Sequence, residues 1–215
     1  MSQSEPTLPK TPQPGWEKEL LAFLQGQPAA ILESVPKHIT QPGANWDTSR
    51  FDLTTLSSGV SQYHFVAHLN SEHQAGRDGN RWSLSLQTGD DTSVTVTVVP
   101  GDEGMRGKIT LENETAARTQ VPSAAVVSAR CPNDKTRVCD ILDLIIREKR
   151  DQYVFAAGGA GGRWWMNEFV QDMFEHGYLQ GYYLDDVRRN LVRYWPSPVN
   201  SAPVIRQWAV GKFCE

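Results

Sequence analysis

The stretch Tyr63-His64-Phe65-Val66-Ala67-His68-Leu69 decides the fold class, because apolar side chains occupy alternate positions from Tyr63 to Leu69. A period of two places such side chains on one face of a β-strand. The same period returns over Trp82–Gln87, where apolar residues alternate with serines, and over Val94–Val98, where valines alternate with threonines. Polar turn residues separate the runs. The three runs predict an antiparallel meander of strands with one buried face.

Weaker alternation predicts a fourth strand over Lys108–Asn113 and a fifth over Ala124–Arg130. The last third of the chain changes to helical periodicity. Strands first and helices later predict an α+β fold, with an antiparallel sheet of about five strands packed against about three C-terminal helices.

Three helices are predicted in that last third of the chain. The first runs over residues 137 to about 150, with Thr136 as its N-cap. The second runs over Arg163–Gly177, because glycine readily adopts the left-handed conformation that ends helices. The third runs over Asp185–Trp195, with the pair Asp185-Asp186 at its N-cap and first turn.

The composition is that of a globular protein: 39% of the 215 residues are hydrophobic, 21% are charged, and the net charge is −4. No apolar run approaches the ~18 residues of a membrane span, which argues against a membrane partner. The mild acidity argues against nucleic acid, whose partners carry a basic face. The three cysteines have no metal-like spacing, so neither a metal nor another cofactor is expected.

The N-terminal region predicts a cytoplasmic protein with an arm. Its first residues contain neither the basic nor the apolar segment of a secretory signal, and an odd number of cysteines is typical of reduced thiols. Residues 1–50 form the predicted N-terminal arm, which is proline-rich and disordered to about residue 15 and then forms a short helix over residues 16–24. Residues 51–215 form the predicted single α+β domain.

Residues 158–162, Gly-Gly-Ala-Gly-Gly, lead directly into the second predicted helix. Backbone N–H groups at a helix N-terminus attract anions, so one interpretation is an anion site. The other interpretation is a tight loop in which two backbones pass closely. The absence of a preceding buried parallel strand, and of a suitable acidic residue about 20 positions further on, argues against a dinucleotide fingerprint. A P-loop is excluded because no Lys-Ser or Lys-Thr pair follows the glycines.

Two motifs flank this junction: Arg150–Phe155 is Arg-Asp-Gln-Tyr-Val-Phe, and Gly161–Trp165 is Gly-Gly-Arg-Trp-Trp. With them the chain resembles an uncharacterised fungal domain family, whose members carry an Arg-Asp-x-Tyr-x-Phe run and then a Gly-Cys-Arg-aromatic-Trp motif that opens a helix. The resemblance extends over about 60–213. It includes Arg81-Trp82 in place of a His-Trp pair, together with Ser93–Val96 and Pro203–Phe213.

A strand histidine followed by a cysteine at a helix N-terminus is similar to permuted papain-like domains, in which the helix dipole and the histidine activate the thiol. This chain has Arg81 at the histidine position and Gly162 at the cysteine position. Cys139 lies on another predicted helix and cannot substitute. The resemblance therefore implies a member without cysteine chemistry, with an open helix N-terminus, an arginine and a cluster of tryptophans.

The predicted site has two groups of residues, expected to meet between the strand Arg81–Gln87 and the helix that begins at Arg163. The candidates for catalysis are two electrostatic clamps and two proton carriers: Arg163, Arg81, His64 and Glu168. The candidates for substrate binding are aromatic pocket walls: Tyr63, Trp82, Trp164 and Trp165.

The polar candidates also have structural interpretations. Arg163 can form an ion pair with Asp151 or Glu168, and Glu168 can belong to a solvated helix face. His64 and His68 lie about 13 Å apart along one strand, so they cannot share a metal ion. Each is either a surface histidine or a lone general base.

The function expected from these features is a cofactor-independent enzyme of the cyclase or isomerase type, acting on a small organic molecule in fungal specialised metabolism. The alternative is a non-catalytic binding module for a small molecule or a protein, a pseudoenzyme that lacks the histidine and the cysteine. A third hypothesis is an interaction protein whose exposed tryptophans form a homodimer surface. The expected partner is a small-molecule ligand, with no nucleic acid and no membrane.

Overall fold

A mixed sheet lies at the centre of the protein, of which a computed structural model describes residues 30–69, 79–101, 105–115, 123–196 and 201–214. Its strands in these ranges are Trp46–Arg50 (β1), Gln62–His68 (β2), Trp82–Gln87 (β3), Ser93–Pro100 (β4), Gly107–Glu114 (β5) and Ser123–Arg130 (β6). They lie in the order β1-β5-β4-β3-β2-β6. The five predicted strands correspond to β2 through β6, and their neighbouring pairs are antiparallel.

The edge strand β1 comes from the predicted arm and pairs in parallel with β5. Residues 30–39 form a helix, α1, ahead of it, and Val35 and Ile39 of α1 belong to the hydrophobic core. The sequence did not indicate β1, because only Trp46 of its five residues has a large apolar side chain. The predicted disordered stretch and the helix over residues 16–24 lie outside the described residues.

The α+β class is confirmed, because three α-helices follow the six strands of the sheet in the described ranges: Val138–Arg147 (α2), Gly162–Glu175 (α3) and Gly181–Leu191 (α4). Short 3-10 helices lie at Leu53–Ser57 and Ala157–Gly159. The N-cap of α2 is Arg137, whose backbone N–H donates to the Asp140 carboxylate at 2.8 Å. The prediction of Thr136 as the cap is wrong, since its hydroxyl has no hydrogen-bond partner among the described residues. Gly177 follows α3 with a φ of 75°, as predicted.

The last helix, α4, differs from its prediction at both ends. It begins before the pair Asp185-Asp186, which lies inside the helix instead of at its N-cap; the actual N-cap, Gln180, makes no side-chain hydrogen bond and so gave no signal. It ends before Trp195, because Arg193–Tyr194 (β8) pairs with Val204–Ile205 (β9). Within the described ranges, no helix combines the length and the apolar character needed to cross a membrane.

Both faces of β2, β3 and β4 are buried, so the prediction of one buried face for these three strands is wrong. Tyr63 and Phe65 of β2 belong to the core beneath the helices, where α3 packs against β3 and β4, and α4 packs against β6. The alternate residues His64 and Val66 face the other way and are also buried, with exposures of 8% and 0%. The sequence did carry a signal for this: serine and threonine, rather than long charged residues, alternate with the core residues on β3 and β4.

The segment that follows α2 contacts α3, the arm and the C-terminal tail. Arg150 donates two hydrogen bonds to the Asp172 carboxylate of α3, at 2.5 and 2.7 Å, and its guanidinium lies 4.4 Å from the ring centroid of Phe213. Asp151 is 3% exposed and accepts from the Trp46 indole N–H at 3.0 Å. Tyr153–Val154 (β7) then pairs with Lys212–Phe213 (β10). This segment therefore holds α3, the arm and the C-terminal tail together.

Replacing Asp172 with alanine is expected to lower the free energy of unfolding by about 3 kcal/mol, because the mostly buried Arg150 guanidinium loses its carboxylate. The side chains of Arg150 and Asp172 are only 17% and 7% exposed. Asp186→Ala is the matched control: it breaks a pair with Arg189 whose side chains are 62% and 46% exposed, at an expected cost below about 0.5 kcal/mol. Urea denaturation followed by circular dichroism measures both, and equal losses would contradict the prediction.

Candidate functional site

A row of polar residues crosses the described sheet on the face opposite the helices. Strand register places His64 of β2 between Ser128 of β6 and Ser85 of β3. The row continues through paired residues on the remaining strands: Thr95 (β4), Glu112 (β5) and Arg50 (β1). Directly opposite side chains on one face lie about 5 Å apart and interact. The row is therefore a continuous line of hydroxyl, imidazole and charged groups, which we call the polar row.

Several hydroxyls on this face are buried. Ser85 is 0% exposed and Ser93 is 5% exposed, and neither hydroxyl has a hydrogen-bond partner in the described part of the chain. Thr95 is 4% exposed and donates to the Glu114 carboxylate at 3.0 Å. An unpartnered buried hydroxyl costs free energy, so folded proteins contain few of them. The two serines thus represent hydrogen-bonding capacity that the described residues leave unused.

A defined chain of hydrogen bonds holds His64. The Gln87 side-chain amide donates to the Gly89 carbonyl at 3.1 Å, so its oxygen accepts from Nε2 of His64, also at 3.1 Å. With the proton of the neutral ring on Nε2, Nδ1 accepts from the Ser128 hydroxyl at 2.8 Å. Ser128 is exposed, whereas His64 is 8% exposed. We call this arrangement the Ser128–His64–Gln87 chain.

His68 has a serine partner of its own. It follows His64 on the same face of β2, and its Nε2 lies 2.8 Å from the Ser83 hydroxyl. The two histidines therefore form hydrogen bonds with separate serines, as their spacing along the strand requires. In the ranges that the structure describes, no group of three or more His, Cys, Asp or Glu residues could hold a metal ion.

A groove of about 820 Å³ opens near one end of β6, next to the first turn of α4. Its lining includes Ser61, Arg130, Asp134 and the pair Tyr182-Tyr183. Arg130 and Ser128 are alternate residues of β6, so they share a strand face and lie roughly 7 Å apart. The volume falls in the range of about 300–1,000 Å³ that is typical of small-molecule sites.

Tyr182 and Tyr183 form an aromatic pair at this groove, with ring centroids 3.8 Å apart and planes inclined by 37°. The Tyr182 hydroxyl donates to the Tyr183 oxygen, which also accepts from the Arg130 backbone N–H, and these hydrogen bonds lower the pKa of Tyr183. As the donor of the pair, Tyr182 has a raised pKa. The groove therefore has an aromatic wall next to a guanidinium group.

Residues 63–214, from β2 through β10, match the sequence profile of a family described as Domain of unknown function (DUF7770). The match spans more than half of the chain. The chain belongs to the DUF7770 family. This confirms the prediction that the chain belongs to an uncharacterised domain family. No curated protein and no solved structure matches the chain.

Within the DUF7770 domain, Arg163 lies in the interior with 1% of its surface exposed. Its Nη1 donates to the carbonyls of Leu191 and Arg206 at 3.1 and 3.2 Å, and its Nη2 donates to the Gln207 carbonyl at 3.0 Å. Leu191 is the last residue of α4, where carbonyls lack partners within the helix and attract a cation. Arg163 therefore joins α3, α4 and the C-terminal tail.

The other predicted catalytic residues occupy separate places. Arg81 is exposed at the start of β3, and Glu168 is half-buried on α3, where it accepts from the Asn167 side chain at 2.9 Å. His64 is the one predicted catalytic residue that lies in the polar row. A catalytic role for Arg163, Arg81 or Glu168 stays a prediction.

The predicted pocket walls lie in or against the packed core between the sheet and α3. Tyr63, Trp82 and Trp165 are 0%, 3% and 0% exposed. The buried Trp82 indole N–H has no hydrogen-bond partner in the described ranges. Trp164 is partly buried, and its ring centroid lies 6.3 Å from that of Trp208. A substrate-binding role for these four aromatic residues stays a prediction.

Tyr153 shapes the glycine-rich junction. Gly161 has a φ of 119°, and a Cβ there would lie 2.5 Å from the Tyr153 hydroxyl oxygen, so glycine is required. At Gly162, the cysteine position of the resemblance, an added Cβ would have its nearest neighbour 3.8 Å away, on Phe155. Cys139 does not replace that cysteine, because burial raises the pKa of its thiol to about 12. The lack of room for a side chain explains the glycine at position 161, as the tight-loop interpretation predicts. A side chain would fit at position 162, so lack of room does not explain the glycine there.

The sequence interpretation missed Ser128 and Gln87, as well as Arg130 and the pair Tyr182-Tyr183. Ser128 and Gln87 lie 64 and 23 positions from His64, and only strand register brings them to it. The tyrosines were missed because the start of α4 was placed too late in the sequence. The serine-rich alternation on β3 was the available signal for this face.

Arg163→Ala is expected to lower the free energy of unfolding by about 3 kcal/mol, because three backbone carbonyls lose a charged donor. It is also expected to speed amide hydrogen exchange over residues 204–213, which Arg163 holds through Arg206 and Gln207. The exposed Arg81→Ala is the control, with an expected change within about 0.5 kcal/mol. Denaturation and hydrogen-exchange mass spectrometry measure these effects, and wild-type stability of Arg163→Ala would refute the structural role.

Proposed function

We propose that the protein is a cofactor-independent enzyme of the cyclase or isomerase type, which moves a proton on a small organic molecule at the Ser128–His64–Gln87 chain. The observation that carries this proposal is the hydrogen bond from the exposed Ser128 hydroxyl to the buried His64 Nδ1. An imidazole with a fixed tautomer beside an accessible hydroxyl can accept a proton and return it. The resemblance to a fungal family supports a place in fungal specialised metabolism, and the odd number of cysteines, typical of reduced thiols, supports a cytoplasmic location.

The Ser128–His64–Gln87 chain can move a proton with its own groups. When a substrate gives a proton to the Ser128 oxygen, the Ser128 hydroxyl proton passes to Nδ1 of His64. The imidazolium that forms keeps its Nε2–H bond to the Gln87 oxygen, 3.1 Å away, and this carbonyl dipole stabilises the positive charge. Reversal of these steps returns a proton to another atom of the substrate. The net result is an isomerisation or a ring closure without a change in oxidation state.

The second candidate function is a non-catalytic small-molecule binding module. It is supported by the engagement of both His64 ring nitrogens with protein groups. Arg81 and Gly162, at the positions where the resemblance has histidine and cysteine, support it as well. In this case the groove binds a ligand that is not converted. A small molecule is the proposed partner in both cases, and a homodimer stays a prediction.

Incubation of the protein with a fungal metabolite extract in D₂O tests the proton transfer. An enzyme that removes and returns a proton at carbon incorporates deuterium into its substrate, which liquid chromatography with mass spectrometry detects. Ser128→Ala removes the outer hydroxyl of the chain and is expected to slow incorporation about 100-fold, the scale of general acid–base catalysis.

Ser57→Ala is the matched control for this experiment. It changes an exposed serine in the 3-10 helix Leu53–Ser57, away from the polar row, and is expected to keep the wild-type rate. Deuterium gain in no compound, or an unchanged rate in Ser128→Ala, would count against the enzyme and in favour of the binding module.

A further inference from the structure

The groove beside the Ser128–His64–Gln87 chain presents two opposite charges. Arg130 and Asp134 both line it, and both are exposed. Among the described residues, neither side chain forms an ion pair, whereas other exposed arginines such as Arg147 and Arg189 do. A cation and an anion that the protein leaves unpaired at one groove are available to a ligand that carries both charges.

The groove also presents an uncovered aromatic surface. Tyr182 leaves 62% of its surface exposed, although its ring lies against that of Tyr183. The pair is positioned by its place in the first turn of α4 and by the contact between its two rings, whose centroids lie 3.8 Å apart. A ring that is exposed and yet held in place loses little conformational entropy when a planar ligand stacks on it.

We propose that this groove binds an aromatic amino acid as a zwitterion. Its ring stacks on the Tyr182-Tyr183 pair, its carboxylate pairs with Arg130, and its ammonium group pairs with Asp134. A ligand with a single charge would leave one of the two groove charges unpaired, whereas a zwitterion complements both. This inference rests on the proposed function, since it assigns the substrate class of the same site: a carboxylate at Arg130 lies roughly 7 Å along β6 from Ser128.

Three probes that share an indole ring separate the contributions of the two charges. L-tryptophan carries both charges, tryptamine carries only the ammonium group, and 3-indolepropionate carries only the carboxylate. Isothermal titration calorimetry is expected to show L-tryptophan binding at least about 10-fold more tightly than either of the others, which is the scale of one charge-assisted hydrogen bond.

Two variants assign each charge to its residue. Arg130→Gln keeps the backbone N–H that Tyr183 uses, and it is expected to weaken L-tryptophan binding about 10-fold while leaving tryptamine binding unchanged. Asp134→Asn is expected to weaken L-tryptophan by a similar factor while leaving 3-indolepropionate unchanged. Arg189→Gln, on the exposed side of α4 in a pair with Asp186, is the control and is expected to bind all three probes as the wild type does.

The results separate this inference from the proposed function. No L-tryptophan binding at millimolar concentration, or an equal loss for all three probes in Arg130→Gln, overturns the inference. Deuterium incorporation without L-tryptophan binding rejects only the substrate class, and binding without incorporation into any compound rejects only the enzyme.

Discussion

The ion pair between Arg150 and Asp172 is the interaction on which the remaining arrangement depends. It joins the end of α2 to α3 through two hydrogen bonds in a mostly buried setting, where either charge alone would be costly. The residues that follow Arg150 add further contacts between distant segments, since Asp151 accepts from Trp46 of β1 and Tyr153 donates to the Gly161 carbonyl. With α3 fixed in this way, the helices occupy one face of the sheet, and the polar row lies on the other.

The motifs that carry the family resemblance have structural contacts in this protein. Arg163 donates to three backbone carbonyls, and Trp165 lies in the core and donates to the Arg150 carbonyl. The groups that can move a proton lie instead on β2, β3 and β6, where His64, Gln87 and Ser128 meet. Arg163 and Trp165 therefore pack the fold, while the candidate chemistry lies on strands that the two motifs do not include.

The position of β6 at an edge of the described sheet explains why the candidate site is accessible. An edge strand leaves some backbone groups without a neighbouring strand, and the Arg130 N–H on β6 is used by the Tyr183 oxygen of α4. Ser128 on the same strand is exposed, while its partner His64 on β2 is covered by neighbours on both sides. The edge thus combines a shielded imidazole with a hydroxyl that solvent and ligands can reach.

The sequence by itself determined β2 through β6 and the approximate place of the C-terminal helices, because alternation and helical periodicity are local properties of the chain. It also singled out His64 by residue type. It did not indicate β1, whose parallel partner β5 lies far along the chain, or the hydrogen-bond partners of His64, which lie 64 and 23 positions away. Only the tertiary structure decided that Arg163 is buried and Arg81 exposed, since burial and strand register depend on contacts between distant segments and leave no local pattern.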